Sequence, residues 1–439
     1  MGNIRQRLLG GLLVLGLTLA PARALLPVRA DADSAAQREA RAAETADGTA
    51  GESGTGGGAA PEEDREGTVS FQNLRERVRA GSLDARILGE SIASLEELDY
   101  DVVLEHLRAQ MNDNSSILMV AYFNPLAASS LGIGTQTIAA LEAANNALRE
   151  QYDDILDGTT QKDNADLARQ LRHTQNLVLF GAETLYLSVL EAEAGRETLV
   201  RNLDALDRRV QELELRHARG QVSDLTLSQA TVARENLSSQ LETLDMNLAT
   251  LRKNLERMLG LPPEGTLRLL PLPELPEAFW EELDAEADLE RAKAQSYELY
   301  DAEKTLKDAR KEWLETSARY QAPWALSHYV YEQAQHTWNA AQFSYQNTVE
   351  GFEDKFDVLS RKIADCVQIL AAAEAALEAQ EAEYRAQELR YAQGSISLNA
   401  RAAALDDVGS ARDSVTAARR NLFSAWNSYR WAVEYGILN

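Results

Sequence analysis

Glu214-Leu215-Arg216-His217-Ala218-Arg219-Gly220 and Glu388-Leu389-Arg390-Tyr391-Ala392-Gln393-Gly394 are two versions of one phrase. Each continues with one further residue, then a β-branched residue and a serine: Val222-Ser223 in the first, Ile396-Ser397 in the second. Beyond the serine, apolar residues recur in steps of four and three. The first series is Leu237, Leu241, Leu244, Leu248, Leu251, Leu255 and Met258. The second is Ala411, Val415, Ala418, Leu422, Ala425, Tyr429 and Ala432, and every pair keeps the spacing of Gly220 and Gly394. Chance does not produce that; a duplicated hairpin does.

The same stripe holds before each glycine. One copy reads Leu171, Val178, Leu185, Ala192, Leu199, Leu206, Leu213; the other reads Val349, Phe356, Ile363, Leu370, Leu377, Tyr384, Tyr391. A sustained seven-residue repeat implies coiled-coil packing rather than an isolated surface helix. Gly220 and Gly394 can take the left-handed conformation that ends a helix, and Ser223 and Ser397 can cap the returning one. The expected fold is therefore all-α: long antiparallel coiled-coil hairpins in two tandem repeats, with little or no β-strand.

Leu259-Gly260-Leu261-Pro262-Pro263, continuing through Pro271, Pro273 and Pro276, is a helix stop followed by a linker. It sets the expected division into repeat 1 (68–260), a Pro-rich linker (261–276) and repeat 2 (277–439). Ahead of these, Arg5 and Arg7 precede an apolar run from Leu8 to Ala20 and the small-x-small site Ala22-Arg23-Ala24. That is the pattern of a secretory signal peptide over 1–24. A retained N-terminal anchor is the alternative, although the run is shorter than the roughly 20 residues of a spanning helix. No cysteine follows it to carry a lipid. Residues 25–67, rich in Ala, Gly, Glu and Ser, lack the apolar side chains to offset chain entropy and are expected to be a disordered linker.

A net charge of -25 argues against nucleic acid, which needs clustered Lys and Arg. It fits a self-repelling soluble surface or an acidic lumen. The single cysteine, Cys366, excludes an internal disulfide and lies on an apolar stripe as a small hydrophobe. His106, His173, His217, His328 and His336 form no cluster of metal-ligand spacing. No Gly-x-Ser-x-Gly, phosphate-binding loop or dinucleotide fingerprint occurs. Acidic neighbours such as Asp153-Asp154 and Asp406-Asp407 diverge on a helix and read as solvated faces. The expectation is no enzyme, with no catalytic residue, no cofactor and no metal.

The duplicated tips, together with Met258-Leu259-Gly260 and Tyr435-Gly436-Ile437, resemble the TolC family of outer-membrane efflux proteins. The match is carried by Tyr186 to Pro263 and Gln368 to Leu438, and more weakly by Phe71 to Ile92 and Leu283 to Leu306. The resemblance implies a protomer of a helical barrel, assembled as a homotrimer in the cell envelope at the outer membrane. It also implies a periplasmic adaptor of the membrane-fusion type and an inner-membrane or ABC transporter as partners. The adaptor-contact tips would be Gly220, Gln221, Val222 and Ser223 in one repeat, and Gly394, Ser395, Ile396 and Ser397 in the other.

Two departures stand out. The family often places an aspartate a few residues after the tip glycine; here the matching positions are nearer the uncharged Thr226 and Asn399, although Asp224, Asp406 and Asp407 lie nearby. The family's barrel strands should fall at Asn114 to Thr137 and at Tyr320 to Gln346. A spanning strand needs about 9–11 alternating residues, twice per repeat. The first region is too short and irregular, and the second reads as helix with Pro323 near its start. The barrel is expected to be reduced or absent. Trp324, Tyr329, Tyr331 and Trp338 crowd into the second region; they read as helix-to-helix packing or as a membrane- or partner-facing end. Two functions follow: an efflux or secretion duct docking an adaptor through its tips, or a non-conducting coiled-coil scaffold of the envelope.

Overall fold

A computed structural model describes residues 64–65, 67–130, 132–276, 279–281, 283–320 and 328–438. The expected signal segment 1–24 and the expected linker up to residue 63 lie outside them, as does Trp324. The described residues form eleven α-helices and two strands of two residues each. Repeat 1 contains β1 (Thr68–Val69), α1 (Phe71–Gly81), α2 (Leu83–Glu96), α3 (Tyr100–Phe123), α4 (Pro125–Ser130), α5 (Thr135–Leu156), α6 (Thr159–Ala218) and α7 (Asp224–Met258). The linker carries β2 (Arg268–Leu269), and repeat 2 contains α8 (Ala285–Gln295), α9 (Tyr297–Tyr320), α10 (His328–Ala392) and α11 (Leu398–Tyr435).

Of these, α6 has 60 residues and α10 has 65, so each runs for about 90 Å or more at 1.5 Å per residue. Each folds back into an antiparallel partner, α7 and α11 respectively. The hairpins then join edge to edge. α6 runs antiparallel to α11, with ion pairs Arg201–Asp413 and Arg208–Asp406 along the seam. The row is α7, α6, α11, α10. Every residue of the four apolar stripes is buried or half-buried except Tyr391 near a tip, as a shared helical layer requires.

Both repeats begin with the same device. An 11-residue helix is followed by one extended serine, and the chain re-enters a helix. Ser82 (φ -68, ψ 125) joins α1 to α2, and Ser296 (φ -67, ψ 121) joins α8 to α9. Each hydroxyl accepts from a backbone N–H three residues on, Ala85 N–H at 3.4 Å and Leu299 N–H at 3.3 Å. Each hinge lies against the glycine that ends the returning helix of its hairpin, α7 or α11. A Cβ on Gly260 would overlap the Gly81 carbonyl, and one on Gly436 would overlap the backbone of Ser296. Both glycines have positive φ, 69° and 63°, a conformation that L-residues avoid.

Two cores flank this row. The first joins Phe71, Leu74 and Val78 of α1 to Leu179 and Tyr186 of α6, Leu255 of α7 and Trp431 of α11. The second joins Phe352, Phe356, Ile363 and Cys366 of α10 to Leu422, Tyr429 and Ala432 of α11. Burial pushes the Cys366 thiol up, in keeping with a small apolar side chain. Burial pushes the Tyr429 phenol up to about 12, and its hydroxyl donates to the buried Asp288 of α8 at 2.6 Å.

A polar knot crosses the first core. Glu183 of α6, 1% exposed, accepts from Arg75 Nε, from Asn427 Nδ2 at 2.7 Å and from Trp431 Nε1 at 2.6 Å. Arg430 lies 3.6 Å away, lowered from its ordinary value by burial and then by repulsion from Arg75. The knot binds α1, α6 and α11 through one carboxylate.

The linker is ordered by repeat 1. Glu256 of α7 accepts from the N–H groups of Gly265, Thr266 and Leu267 at 2.6, 2.8 and 2.9 Å. β1 and β2 then pair in parallel, Thr68 with Arg268 and Val69 with Leu269. The Tyr186 hydroxyl donates to Leu270 O at 2.5 Å. Asp64, near the end of the expected linker, accepts from Ser70 N–H at 3.1 Å and Asn73 Nδ2 at 3.2 Å.

Where barrel strands would stand in repeat 1, the described residues form the end of α3, α4 and the start of α5. α3 and α5 pair antiparallel through Leu107, Leu148 and Ile155, with Arg108 bonded to the Tyr152 hydroxyl and the Tyr122 hydroxyl to Glu142. In repeat 2, α9 and α10 flank residues 321–327 and pack directly on one another.

Candidate docking site at the hairpin tips

Each tip is built by one sequence of hydrogen bonds. In the first, Gly220 N–H donates to His217 O at 2.8 Å and Gln221 N–H to Arg216 O at 2.9 Å. In the second, Gly394 N–H donates to Tyr391 O at 2.9 Å and Ser395 N–H to Arg390 O at 2.9 Å. These are the bonds with which a left-handed glycine closes a helix, and both glycines have φ 70°. The returning helix starts on a serine cap: Ser223 Oγ accepts from Thr226 N–H and Ser397 Oγ from Ala400 N–H, both at 3.2 Å. Val222 and Ile396 are half-buried beneath the turn, while Gly220, Gln221, Ser223, Gly394, Ser395 and Ser397 are exposed. The structure thus gathers each predicted set of four into one compact turn.

The two turns are neighbours. Asn399 Nδ2, at the start of α11, donates to Glu212 Oε2 near the end of α6 at 2.9 Å. Tip 1 carries a hydrogen bond between His217 Nε2 and Asp224 Oδ1 at 2.5 Å. At tip 2 the Ser395 hydroxyl donates to Arg390 O at 2.8 Å, and Arg401 reaches Glu388 at 3.0 Å. Hydrogen bonds to Tyr384 and Glu388 raise Arg401 above its ordinary value. Exposed Leu215, Leu225, Leu389 and Leu398 stand beside these charges. An exposed backbone turn with flanking leucines offers a protein partner apolar contact and hydrogen-bonding groups together. Sequence marked Asn399 only as an uncharged position near the tip and did not mark Glu212, because their meeting depends on how the repeats pack.

The aromatic residues divide. Trp338 of α10 stacks on Trp313 of α9, with centroids 4.5 Å apart and planes at 23°. Tyr331 stacks on His328 at 5.5 Å. Tyr329 points outward, exposed like Phe343. Packing thus takes Trp338 and Tyr331, and the surface takes Tyr329. Among the described residues no three His, Cys, Asp or Glu side chains converge as a metal site.

No protein-family profile and no curated protein matches the sequence. Solved structures do. The outer-membrane channel OprN aligns over 83% of this chain and 90% of its own, with a TM-score of 0.50 at 14% identity. The fold is that of the TolC-type outer-membrane channels. CmeC, the outer-membrane channel of Campylobacter jejuni, aligns over 84% of this chain and 86% of its own, at 12% identity and a TM-score of 0.46. VceC, an outer membrane protein of Vibrio cholerae, aligns over 83% and 95%, at 13% and 0.42. In this chain α3, α4 and α5 stand between α2 and the long helix α6, and α9 and α10 lie on either side of residues 321–327.

Proposed function

We propose that this chain is the duct component of a TolC-like efflux or secretion system. Copies of it, three by the family resemblance, associate through the open edges of the helical row, α7 and α10, and enclose a passage. The tips at Gly220 to Ser223 and Gly394 to Ser397 dock a membrane-fusion-type adaptor, which couples the duct to an inner-membrane or ABC transporter. The protein works in the cell envelope after export, as a conduit rather than an enzyme. The observation that carries this reading is the pair of tips built alike and held side by side by Glu212 and Asn399. A plain spacer needs neither the duplication nor the juxtaposition.

The test combines mass and cross-linking. Light scattering of the purified full chain should give three copies per particle; a monomer at every concentration and in every detergent tried overturns the duct. Cysteines at Gln221 and Ser395 should cross-link to the adaptor in cells that hold it. Trimers without such adducts would refute the tip assignment alone. The helices at 100–156, in the place of barrel strands, favour a second reading, a non-conducting coiled-coil scaffold of the envelope. That reading expects the stable monomer.

A further inference from the structure

From Asn114 to Leu141 the sequence holds no Asp, Glu, Lys or Arg, in a chain where 26% of residues are charged. This gap coincides with one structural feature, the apex of the α3–α4–α5 hairpin. The hairpin is attached to the start of α6, the end opposite Gly220. Several of its large side chains do not pack away. Ile117, Met119, Val120 and Tyr122 are exposed, and Phe123 and Leu126 are 84% and 85% exposed.

The distribution of those residues identifies their solvent. Successive helical residues turn by about 100°. Ile117, Met119, Val120, Tyr122 and Phe123 therefore spread over an arc of about 220° of α3, while the half-buried Asn114 and Leu118 and the buried Ala121 share the inward side. A protein partner covers one face of a helix, and an amphipathic stripe would suit it. Apolar exposure over so wide an arc, at a hairpin's end, suits a medium that surrounds the end.

We infer that this apex inserts into the acyl boundary of one leaflet of a lipid membrane, led by Phe123 and Leu126. Depth sets the mode. Glu142, bonded to the Tyr122 hydroxyl, is the first charge met along α5. From Thr135 to Glu142, α5 climbs about 10 Å at 1.5 Å per residue. That is the depth of an interfacial helix, about 5–10 Å, and a third of the roughly 30 Å hydrocarbon core. Among the described residues no helix is long and apolar enough to cross a membrane. The hairpin is thus a monotopic wedge, with Glu142 at headgroup level. This goes beyond the duct proposal and does not depend on the chain conducting anything.

The experiment uses the full chain with Leu126→Cys carrying an environment-sensitive fluorophore; the native Cys366 is buried. Vesicles of phosphatidylcholine and phosphatidylethanolamine, with and without spin-labelled acyl chains, are the probe. A blue shift on adding vesicles, with quenching by the acyl spin label, is expected at position 126. Neither is expected for a Val102→Cys label on α3, outside the charge-free run. Phe123→Glu should lower vesicle partitioning about tenfold or more with the helical circular dichroism unchanged, since that side chain supports no core. A position-126 label that stays in water with vesicles overturns the inference. So does a blue shift that follows protein concentration without lipid, which would place a second copy of the chain over the apex. Because the readout is local, attachment through another segment cannot imitate it.

Discussion

In repeat 1 the Ser82 hinge leads through α2 to a break at Glu97-Leu98-Asp99 and then into a second helical hairpin; in repeat 2 the Ser296 hinge leads into α9, unbroken to Tyr320. Yet the hinges match in dihedral angles, and the tips match bond for bond. Duplication has kept what backbone packing dictates. It has changed what lies at the far end of the long helices, where no neighbouring backbone sets the geometry. The interior differs too. Glu183 is the buried centre of a five-residue knot, while its positional counterpart Asp357 is 52% exposed and pairs with Arg361 one turn on.

That last contrast is the one most sharply broken by mutation. Glu183→Ala would leave the half-buried Arg75 and Arg430 with Glu434 as their remaining nearby counter-charge and strip Asn427 and Trp431 of their acceptor. The expected loss is about 3–5 kcal/mol in urea unfolding. Asp357→Ala removes an exposed helical pair and should stay within about 0.5 kcal/mol. Equal effects would show that the knot carries no share of the packing between repeats.

The glycines sharpen the comparison within each repeat. Gly260→Ala and Gly436→Ala combine a left-handed backbone with overlap against a hinge, and each should cost about 3 kcal/mol or more. Gly220→Ala and Gly394→Ala meet open space, so only the conformational penalty of about 1–2 kcal/mol remains. Smaller again, Ser82→Ala and Ser296→Ala should each lose about 1 kcal/mol through the missing cap. The two values should agree if the hinges are equivalent. A clear difference between them would mean that one hinge is held by its surroundings rather than by its own hydroxyl.

These residues also show which features could be read from sequence. The tips were legible because glycine, a β-branched residue and serine each do local work at a helix end, and because the copy repeats it. The stripes were legible because a heptad needs no knowledge of the partner. Ser82 and Ser296 left a fainter trace: a serine followed by an acid in the next turn, Asp84 or Glu298, suits a helix N-terminus, but it sits inside an unbroken apolar period. The run Ile117 to Phe123 has no period at all, so it announces neither α3 nor its exposure. The knot was hidden for a different reason. Glu183 lies on an apolar stripe between Leu179 and Tyr186, and its partners come from α1 and α11, joined to it only by the fold.

The smallest expected effect probes the seam where α6 meets α9. His173 stacks on Tyr297 at 5.0 Å, and burial lowers its pKa below the ordinary 6.5, opposed in part by Glu298. The folded chain therefore holds this proton less tightly than the unfolded chain does. Its contribution to stability is complete above pH 6.5 and declines as pH falls from there toward the folded value. In the same seam Asp166 is hydrogen-bonded by Lys304 and Tyr300. Burial raises its pKa, but those bonds outweigh it and leave the group below 3.8. Its contribution is thus present above pH 3.8 and is lost only as the pH falls through that lowered value. The two groups titrate in separate windows. Melting temperatures measured between pH 7.5 and 5 should fall less steeply for His173→Gln than for the parent chain, while Asp166→Asn should lower the whole curve without changing its slope there. A His173→Gln profile as steep as the parent's would move the acid sensitivity to another histidine and leave the α6–α9 seam without a role in it.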